Sequence, residues 1–166
     1  TIVLVGHEDH DEVIGTTGEA PERIVVIDSV AEAERLEVED PGRIAYLTQT
    51  TLSVDDTRAI VDVLRRRFPA IVGPAKDDIC YATQNRQVAV KDIAPRCDVL
   101  IVVGSGNSSN SVRLAEVGLE AGANAAYRVD NAAEIDSAWL ESATTVGLTS
   151  GASVPEELVD GVLARL

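Results

Sequence analysis

Two stretches of the sequence repeat one pattern, in which an apolar strand runs into a small polar turn and a helix follows. VLVGH around Gly6 matches IVVGS around Gly104, and LTQTTLSVDD around Thr48 matches LTSGASVPEE around Thr149. Both matches are offset by nearly the same length of chain, as expected for two copies of one lobe. Strands that alternate with helices form parallel sheets. The repeat therefore predicts an α/β fold with two similar small lobes, each a parallel sheet flanked by helices.

The predicted boundary between the lobes lies after residue 74. Residues 1–74 form the first predicted lobe, and residues 75–166 form the second lobe with a C-terminal helix. The sequence contains no Met, and it opens directly in the strand TIVLVG. We therefore expect the chain to be a piece of a longer protein.

The clearest predicted helix begins after Ser53, a residue type that caps helices, and ends at Pro69. Its buried face is predicted to consist of Thr57, Ile60, Val61, Leu64 and Phe68. The glycines of GHEDHDEVIGTTGE predict a loop with one helical turn, and residues 133–140 are expected to form a short helix. The buried face of the last helix is predicted to consist of Leu158, Val162 and Leu166.

The charge balance excludes one class of partner. The chain carries 14 Lys and Arg against 28 Asp and Glu, a net charge of −14. Because proteins bind nucleic-acid backbones by neutralising phosphates with Lys and Arg, we expect no nucleic-acid partner. No apolar run approaches the roughly 20 residues of a membrane span, so we expect no membrane partner either. Two cysteines and no visible signal peptide predict a cytoplasmic protein.

Four polar turns follow predicted strands, and in parallel sheets ligands bind beyond the carboxyl ends of the strands. The candidate residues in these turns are His7, His10 and Glu12, then Gln49, Thr50 and Thr51, then Ser108, Ser109 and Asn110, and finally Ser150 and Ser153. Ser, Thr and Asn at helix starts often only cap the helix. Four such turns instead favour a phosphate or diphosphate pocket built from hydroxyls, amides and backbone N–H groups, with His7 or His10 supplying positive charge.

The motif GHEDH leaves three interpretations open, one of which is simply a solvated acidic loop. Two histidines with nearby carboxylates could bind a metal, although zinc requires further His or Cys ligands that the sequence does not cluster here. Alternatively, His10 binds an anion and Glu12 donates a proton.

The two cysteines have different surroundings. Cys80 lies after two aspartates at the start of a predicted helix, where the helix dipole favours a thiolate. It could be reactive or simply packed. Cys97 lies before a buried strand and is expected to be structural.

Taken together, several motifs resemble the 4-hydroxy-3-methylbut-2-enyl diphosphate reductase family, the iron–sulfur enzymes of the non-mevalonate pathway of isoprenoid biosynthesis. The matching runs are GHEDHDEVIGT, TQTTLSVDDT, KDDICYATQNRQ, VVGSGNSSNSVRL and GLTSGASVPE. The resemblance implies three α/β lobes arranged as a trefoil, of which this chain would supply two thirds. The missing lobe would precede Thr1.

The resemblance also implies a cofactor. In this family, three cysteines hold a 4Fe-4S cluster, and one iron has no protein ligand. By motif, Cys80 is the last of the three, and the other two would lie in the missing lobe. Cys97 matches no ligand position. We therefore expect this chain alone to be catalytically inactive.

The same resemblance assigns roles to residues of the polar turns. Glu12 would be the proton source for departure of the substrate hydroxyl, and Thr51 and Gln49 would complete a polar relay. The diphosphate and the rest of the substrate would be bound by His10, Thr50, Ser108, Ser109, Asn110 and Ser153. The implied reaction is a two-electron reductive dehydroxylation of an allylic diphosphate to isopentenyl and dimethylallyl diphosphate, with reduced ferredoxin or flavodoxin as electron donor.

Two alternatives remain open from the residues alone. The chain could be a non-catalytic module that binds phosphate or diphosphate, because the same turns could serve that purpose on any α/β fold. It could also be a scaffold for a partner chain that carries the other cysteines. Neither alternative explains the motif KDDICYATQNRQ.

Overall fold

A computed structural model of the chain describes residues 1–75 and 78–166. The chain divides into two compact units, Thr1–Cys80 and Tyr81–Leu166. Each unit contains a parallel three-stranded sheet flanked by helices, which confirms the predicted fold class. Lys76 and Asp77, the first two residues of KDDICYATQNRQ, lie outside the described residues.

The first unit is built from three strand–helix pairs. In chain order they are β1 (Ile2–Val5), α1 (Asp11–Glu19), β2 (Ile24–Ile27), α2 (Val30–Arg35), β3 (Ala45–Thr48) and α3 (Val54–Arg67). Strand β1 lies in the centre, and Ile2 pairs with Ile24 of β2 and with Ala45 of β3. The carboxyl ends of β1 and β3 are therefore neighbours.

The second unit repeats this order after an additional helix. Its elements are α4 (Tyr81–Ile93), β4 (Val99–Val103), α5 (Ser109–Glu120), β5 (Ala125–Val129), β6 (Val146–Ser150) and α6 (Glu156–Arg165). Strand β4 lies between β5 and β6, as β1 lies between β2 and β3. No helix among the described residues is long and apolar enough to span a membrane.

The predicted apolar faces form the cores of the two units. All five residues predicted for the buried face of α3 are buried, and the Ser53 hydroxyl caps this helix by accepting from the Asp56 N–H at 3.3 Å. In the second unit every residue of β4 is buried, and Leu114 and Val117 of α5 pack in the same core cluster as Leu100. Burial of these apolar side chains supplies most of the driving force for folding.

Helix α1 corrects the prediction of a loop with one turn. Residues 11–19 form a continuous helix, because the side chain of His10 caps it and Asp11 and Glu12 lie at the positive end of its dipole. Val13 is buried and holds the helix against the core. Packing does not require the two helix glycines, because a Cβ at Gly15 or Gly18 would meet nothing within 4 Å.

Two other expectations were also wrong. Residues 133–140 form no continuous helix but two 3-10 turns, because the side chains of Asn131 and Asp136 each accept from a backbone N–H two residues ahead and start a new turn. On α6 only Val162 of the three predicted residues is buried, while Leu158 is 39% exposed and Leu166 is 42% exposed.

The amino end of β4 is held by the Asp98 carboxylate. This carboxylate accepts from the backbone N–H groups of Thr144 and Thr145 at 2.9 and 3.0 Å, and from the Thr144 hydroxyl at 2.7 Å. These bonds, first of all the one from the Thr144 hydroxyl, lower the pKa of Asp98 because they stabilise its charged form.

We expect Asp98→Asn to lower the stability of the second unit at neutral pH. A carboxyl group whose pKa is lowered by folding stabilises the protein above its unfolded pKa, and this contribution is lost as the pH falls through the folded pKa. The variant should therefore lose less stability than the unaltered chain between neutral pH and pH values below about 4. Fluorescence of Trp139, which stacks on Tyr127 in this unit, reports the unfolding midpoint.

Asp92→Asn provides the control for charge removal. Asp92 pairs with Arg96 at 3.4 Å, and both side chains are at least 70% exposed. Exposed pairs of this kind contribute little to stability. Equal acid profiles for the two variants would contradict the role of Asp98.

Candidate functional site

In the first unit, the turns that follow β1 and β3 lie side by side. Gly6 follows β1, and this position has no room for a side chain. A Cβ there would lie 2.7 Å from Cγ2 of Val13 and 3.1 Å from Cβ of Gln49. The first turn of α1 can therefore pack closely against the end of β3. The sequence correctly predicted that these two polar turns share one sheet edge.

Glu12 accepts hydrogen bonds from Thr50 across this edge. The Thr50 N–H donates to both carboxylate oxygens of Glu12, at 3.0 and 3.2 Å, and the Thr50 hydroxyl donates to Oε2 at 3.0 Å. Both donors belong to one residue, so the carboxylate has a fixed position and orientation. A fixed carboxyl group can act as a general acid on a ligand placed against it.

Gln49 connects the two turns from inside the unit. Its side chain is completely buried, its Nε2 donates to the Thr51 hydroxyl at 3.0 Å, and its Oε1 accepts from the His7 N–H at 3.1 Å. The amide thus holds the backbone after β1 and the hydroxyl after β3 together. The sequence identified Gln49 as a polar candidate, but its burial depends on packing between turns that are distant in the chain.

His10 uses one of its ring nitrogens to cap α1. Its Nδ1 accepts from the Glu12 N–H at 3.2 Å, so this nitrogen carries no proton in this arrangement. The other ring nitrogen, Nε2, is therefore the atom of His10 that remains to face a ligand. His7 is more than half exposed, and its Nδ1 lies 3.8 Å from the Asp28 carboxylate.

A cavity of about 410 Å³ lies beside His7, on the side of β2. Its lining includes the carboxylates of Glu8, Asp9, Asp28 and Glu32. Four acidic groups make this cavity unsuitable for a diphosphate. Of the candidate residues predicted from the sequence, His7 is the one that lines this cavity.

Cys80 lies on the same network as Glu12. Its backbone N–H donates to the Thr50 carbonyl at 2.9 Å, and its side chain is exposed. Two residues earlier, the Asp78 carboxylate accepts from the Thr48 N–H at 3.2 Å. The end of β3 therefore positions both the candidate acid and the candidate metal ligand.

The described residues do not by themselves form a site for an iron–sulfur cluster. They contain no group of three or more His, Cys, Asp or Glu residues that could hold a metal ion. Cys97 is buried, and its Sγ donates to the Ile93 carbonyl at 3.3 Å, as expected for a structural residue. This chain offers one exposed thiol, that of Cys80, which is too few ligands for the cluster.

In the second unit, the turns after β4 and β6 also lie side by side. Ser108 caps α5, and a Cβ on Gly151 would lie 3.2 Å from Nδ2 of Asn110. On the turn after β6, Val154 lies close to Gly104, and Ser153 is exposed beside it. The structure thus brings the predicted groups of the second unit to one edge.

Asn110 has an unusual environment for an amide. Its side chain is only 7% exposed, yet Oδ1 has no hydrogen-bond partner among the described residues. Burying a polar atom without a partner is costly, which makes this amide a candidate for ligand binding. Ser109, the first residue of α5, is half-buried next to it.

Two arginines that the sequence analysis missed stabilise the ends of these strands. Arg128 Nη1 donates to the Gly104 carbonyl at 2.6 Å and pairs with Asp130, and Arg86 Nε donates to the Ser150 carbonyl at 2.8 Å. In the sequence, the only indication of such a role was that Arg128 is a charged residue within the strand AAYRV. Both arginines act on backbone carbonyls, which the spacing of residues does not reveal.

Comparisons with known proteins agree on one family. A family model described as LytB protein matches residues 1–166. The chain is 63% identical over 165 residues to the 4-hydroxy-3-methylbut-2-enyl diphosphate reductase of Acidothermus cellulolyticus, covering 99% of this chain and 48% of that protein. It is 62% identical over 165 residues to the reductase of the same name from Mycolicibacterium paratuberculosis, covering 99% of this chain and 50% of that protein. The chain thus spans about half the length of the curated relatives it matches.

A solved structure gives the same result. The chain superposes with a TM-score of 0.93 and 37% identity on the E-1-hydroxy-2-methyl-but-2-enyl-4-diphosphate reductase from Plasmodium falciparum. The match covers 99% of this chain and 52% of the parasite chain.

Proposed function

The chain belongs to the LytB family, and we propose that a full-length protein containing it is a 4-hydroxy-3-methylbut-2-enyl diphosphate reductase. Two electrons and two protons would convert the allylic alcohol of the substrate into isopentenyl or dimethylallyl diphosphate and water. The observation that carries the proposal is the superposition of the whole chain on half of a reductase, with a TM-score of 0.93.

We assign the proton chemistry to the first unit. Glu12 would protonate the departing hydroxyl, because Thr50 fixes its carboxyl group at the sheet edge. Gln49 would position the Thr51 hydroxyl, which completes the relay. His10 would bind the substrate through Nε2, since its Nδ1 is already used.

We assign diphosphate binding to hydroxyls and amides of the second unit. Ser108, Ser109 and Asn110 lie at the start of α5, where backbone N–H groups and the helix dipole favour an anion. Ser153 lies on the neighbouring turn after β6. The buried amide of Asn110 has an unused hydrogen-bonding atom, which supports a polar ligand at this position.

The redox group requires residues beyond this chain. Cys80 would supply one thiolate to a 4Fe-4S cluster, and the other ligands would come from the rest of the full-length protein. The cluster would supply the electrons, received from reduced ferredoxin or flavodoxin. We therefore propose that the chain alone binds a diphosphate but does not reduce it.

Titration of the ¹⁵N-labelled chain with inorganic diphosphate, followed by NMR, tests the proposed binding site. We expect saturable shifts at residues 108–111 and 150–153, and none at Asp98 on the opposite edge of the same sheet. Inorganic sulfate at equal ionic strength is the control for non-specific anion effects. Equal responses to both anions, or shifts spread evenly over the chain, would contradict the proposal.

A further inference from the structure

Ser111 is enclosed where α5 meets the ends of β4 and β6. Its side chain is completely buried. A Cβ on Gly104 would lie 2.1 Å from the Ser111 Oγ, and a Cβ on Gly151 would lie 2.2 Å from it. Two glycines from two strand ends thus make room for one hydroxyl group.

The Ser111 hydroxyl is hydrogen-bonded to the Ser108 hydroxyl. Its Oγ donates to the Ser108 Oγ at 3.0 Å, and the Ser111 N–H approaches the same oxygen at 3.4 Å. A serine hydroxyl can accept two hydrogen bonds and donate one. Because Ser111 occupies both acceptor positions of Ser108, the remaining proton of Ser108 points away from Ser111 and is available to another acceptor.

The first unit shows that packing alone does not require this hydroxyl. Val13 follows Gly6 at the same spacing as Ser111 follows Gly104, and its Cγ2 lies 2.7 Å from the Cβ position of Gly6. An apolar side chain therefore fills the corresponding space. Burying a hydroxyl at the second position is costly unless its hydrogen bond is used.

We propose that Ser111 is a positioning residue that directs the Ser108 hydroxyl proton toward a phosphate oxygen of the bound diphosphate. This role rests on the proposed function of the second unit as the diphosphate-binding unit. Ser111 itself touches no ligand, because it is fully buried behind Ser108. It acts by keeping Ser108 a donor, which is the hydrogen-bonding role that an anionic ligand requires.

The same NMR titration with inorganic diphosphate tests this role in a double-mutant cycle. Ser111→Ala keeps the apolar part of the side chain and is expected to weaken binding about 3- to 10-fold, less than the roughly 10-fold or greater loss for Ser108→Ala. In the Ser108→Ala background, Ser111→Ala should change the affinity less than about twofold, because its target is gone. Ser111→Cys, which keeps a weak donor, should lie between Ser111→Ala and the unaltered chain.

Ser29→Ala is the matched control, because Ser29 caps α2 through an equivalent bond to the Glu32 N–H at 3.3 Å. It should leave diphosphate binding unchanged. If Ser111→Ala weakens binding equally with and without Ser108, Ser111 serves packing and the positioning role is wrong. If Ser111→Ala binds normally, the role is also wrong. Failure of the unaltered chain to bind diphosphate would instead contradict the proposed site itself.

Discussion

Glu12→Gln in the proposed full-length reductase is expected to lower kcat by about 10²-fold or more, because a positioned proton donor contributes on that scale. The substitution keeps the shape of the side chain. The glutamine oxygen can still accept from the Thr50 N–H, and the Thr50 hydroxyl can turn to accept from the new amide. The variant therefore differs mainly in lacking an acidic group at this position. Because the shape of the site is kept, KM should remain nearly constant. Anaerobic steady-state kinetics with the allylic diphosphate substrate measure both parameters.

Glu8→Gln is the matched control, because Glu8 is an exposed carboxylate of the same turn. It should leave kcat within about twofold of the unaltered enzyme, the range expected for a charge outside the reaction. A Glu12→Gln enzyme with normal kcat and a raised KM would show that Glu12 binds the substrate rather than protonating it. A Glu12→Gln enzyme with normal kcat and normal KM would show that Glu12 takes no part in substrate binding or proton transfer. Diphosphate binding without any turnover in the unaltered full-length protein would favour the non-catalytic module.

The fold was largely predictable because its strongest signals are local. The strand VLIVV is apolar throughout and becomes the central strand of its sheet, and the apolar face after Ser53 becomes a buried helix. The repeat then fixed the class, since strands alternating with helices have few ways to bury their apolar faces.

The errors arose where one side chain outweighs the average propensity of a segment. Gly15 and Gly18 argued against a helix, but the cap by His10 and the buried Val13 provide enough stabilisation to form α1. Around residue 133 the sequence is rich in helix-forming residues, yet Asn131 and Asp136 form local bonds that divide the segment.

The candidate site was predictable as a set of turns but not as a network. Residue types indicated that Glu12 and Thr50 belong to one edge, whereas their direct attachment depends on the pairing of β1 with β3. The same limit hid Ser111, which looks like one more serine in SSNS until the two enclosing glycines are known. The sequence also could not show which ring nitrogen of His10 is used within the protein, because that depends on the geometry of the helix cap.

The two units place different residues on the same framework. At equivalent positions after the central strand, the first unit carries His10 and Val13 and the second carries Ser108 and Ser111. Both side chains accept from a backbone N–H of their own helix, and the serine also accepts from the Ser111 hydroxyl. This difference agrees with the proposed function, in which the first unit would supply protons and the second would bind the anion.

Gly104→Ala is expected to destabilise the second unit by about 3 kcal/mol or more, from overpacking and backbone strain together. The new Cβ would lie 2.1 Å from Oγ and 2.7 Å from Cβ of Ser111, and the backbone has a φ of +157°, which side chains rarely adopt. Neither atom of Ser111 can move far, because the residue is completely buried. For a chain of this size, the loss corresponds to a fall in Tm of about 6–12 °C, followed by Trp139 fluorescence.

Gly106→Ala is the control within the same turn. Its Cβ would lie 3.3 Å from Nη2 of Arg128, a contact that a small shift of the guanidinium relieves, so the expected cost is below about 1 kcal/mol. Adding Ser111→Ala to Gly104→Ala should recover part of the lost stability, because it removes the closer of the two contacts and leaves the other. Equal Tm values for Gly104→Ala and Gly106→Ala would mean that α5 can move away from β4. In that case Gly104 would not hold Ser111 in place. The proposal that Ser111 positions the Ser108 hydroxyl would then lose the close packing of Ser111 against Gly104 on which it rests.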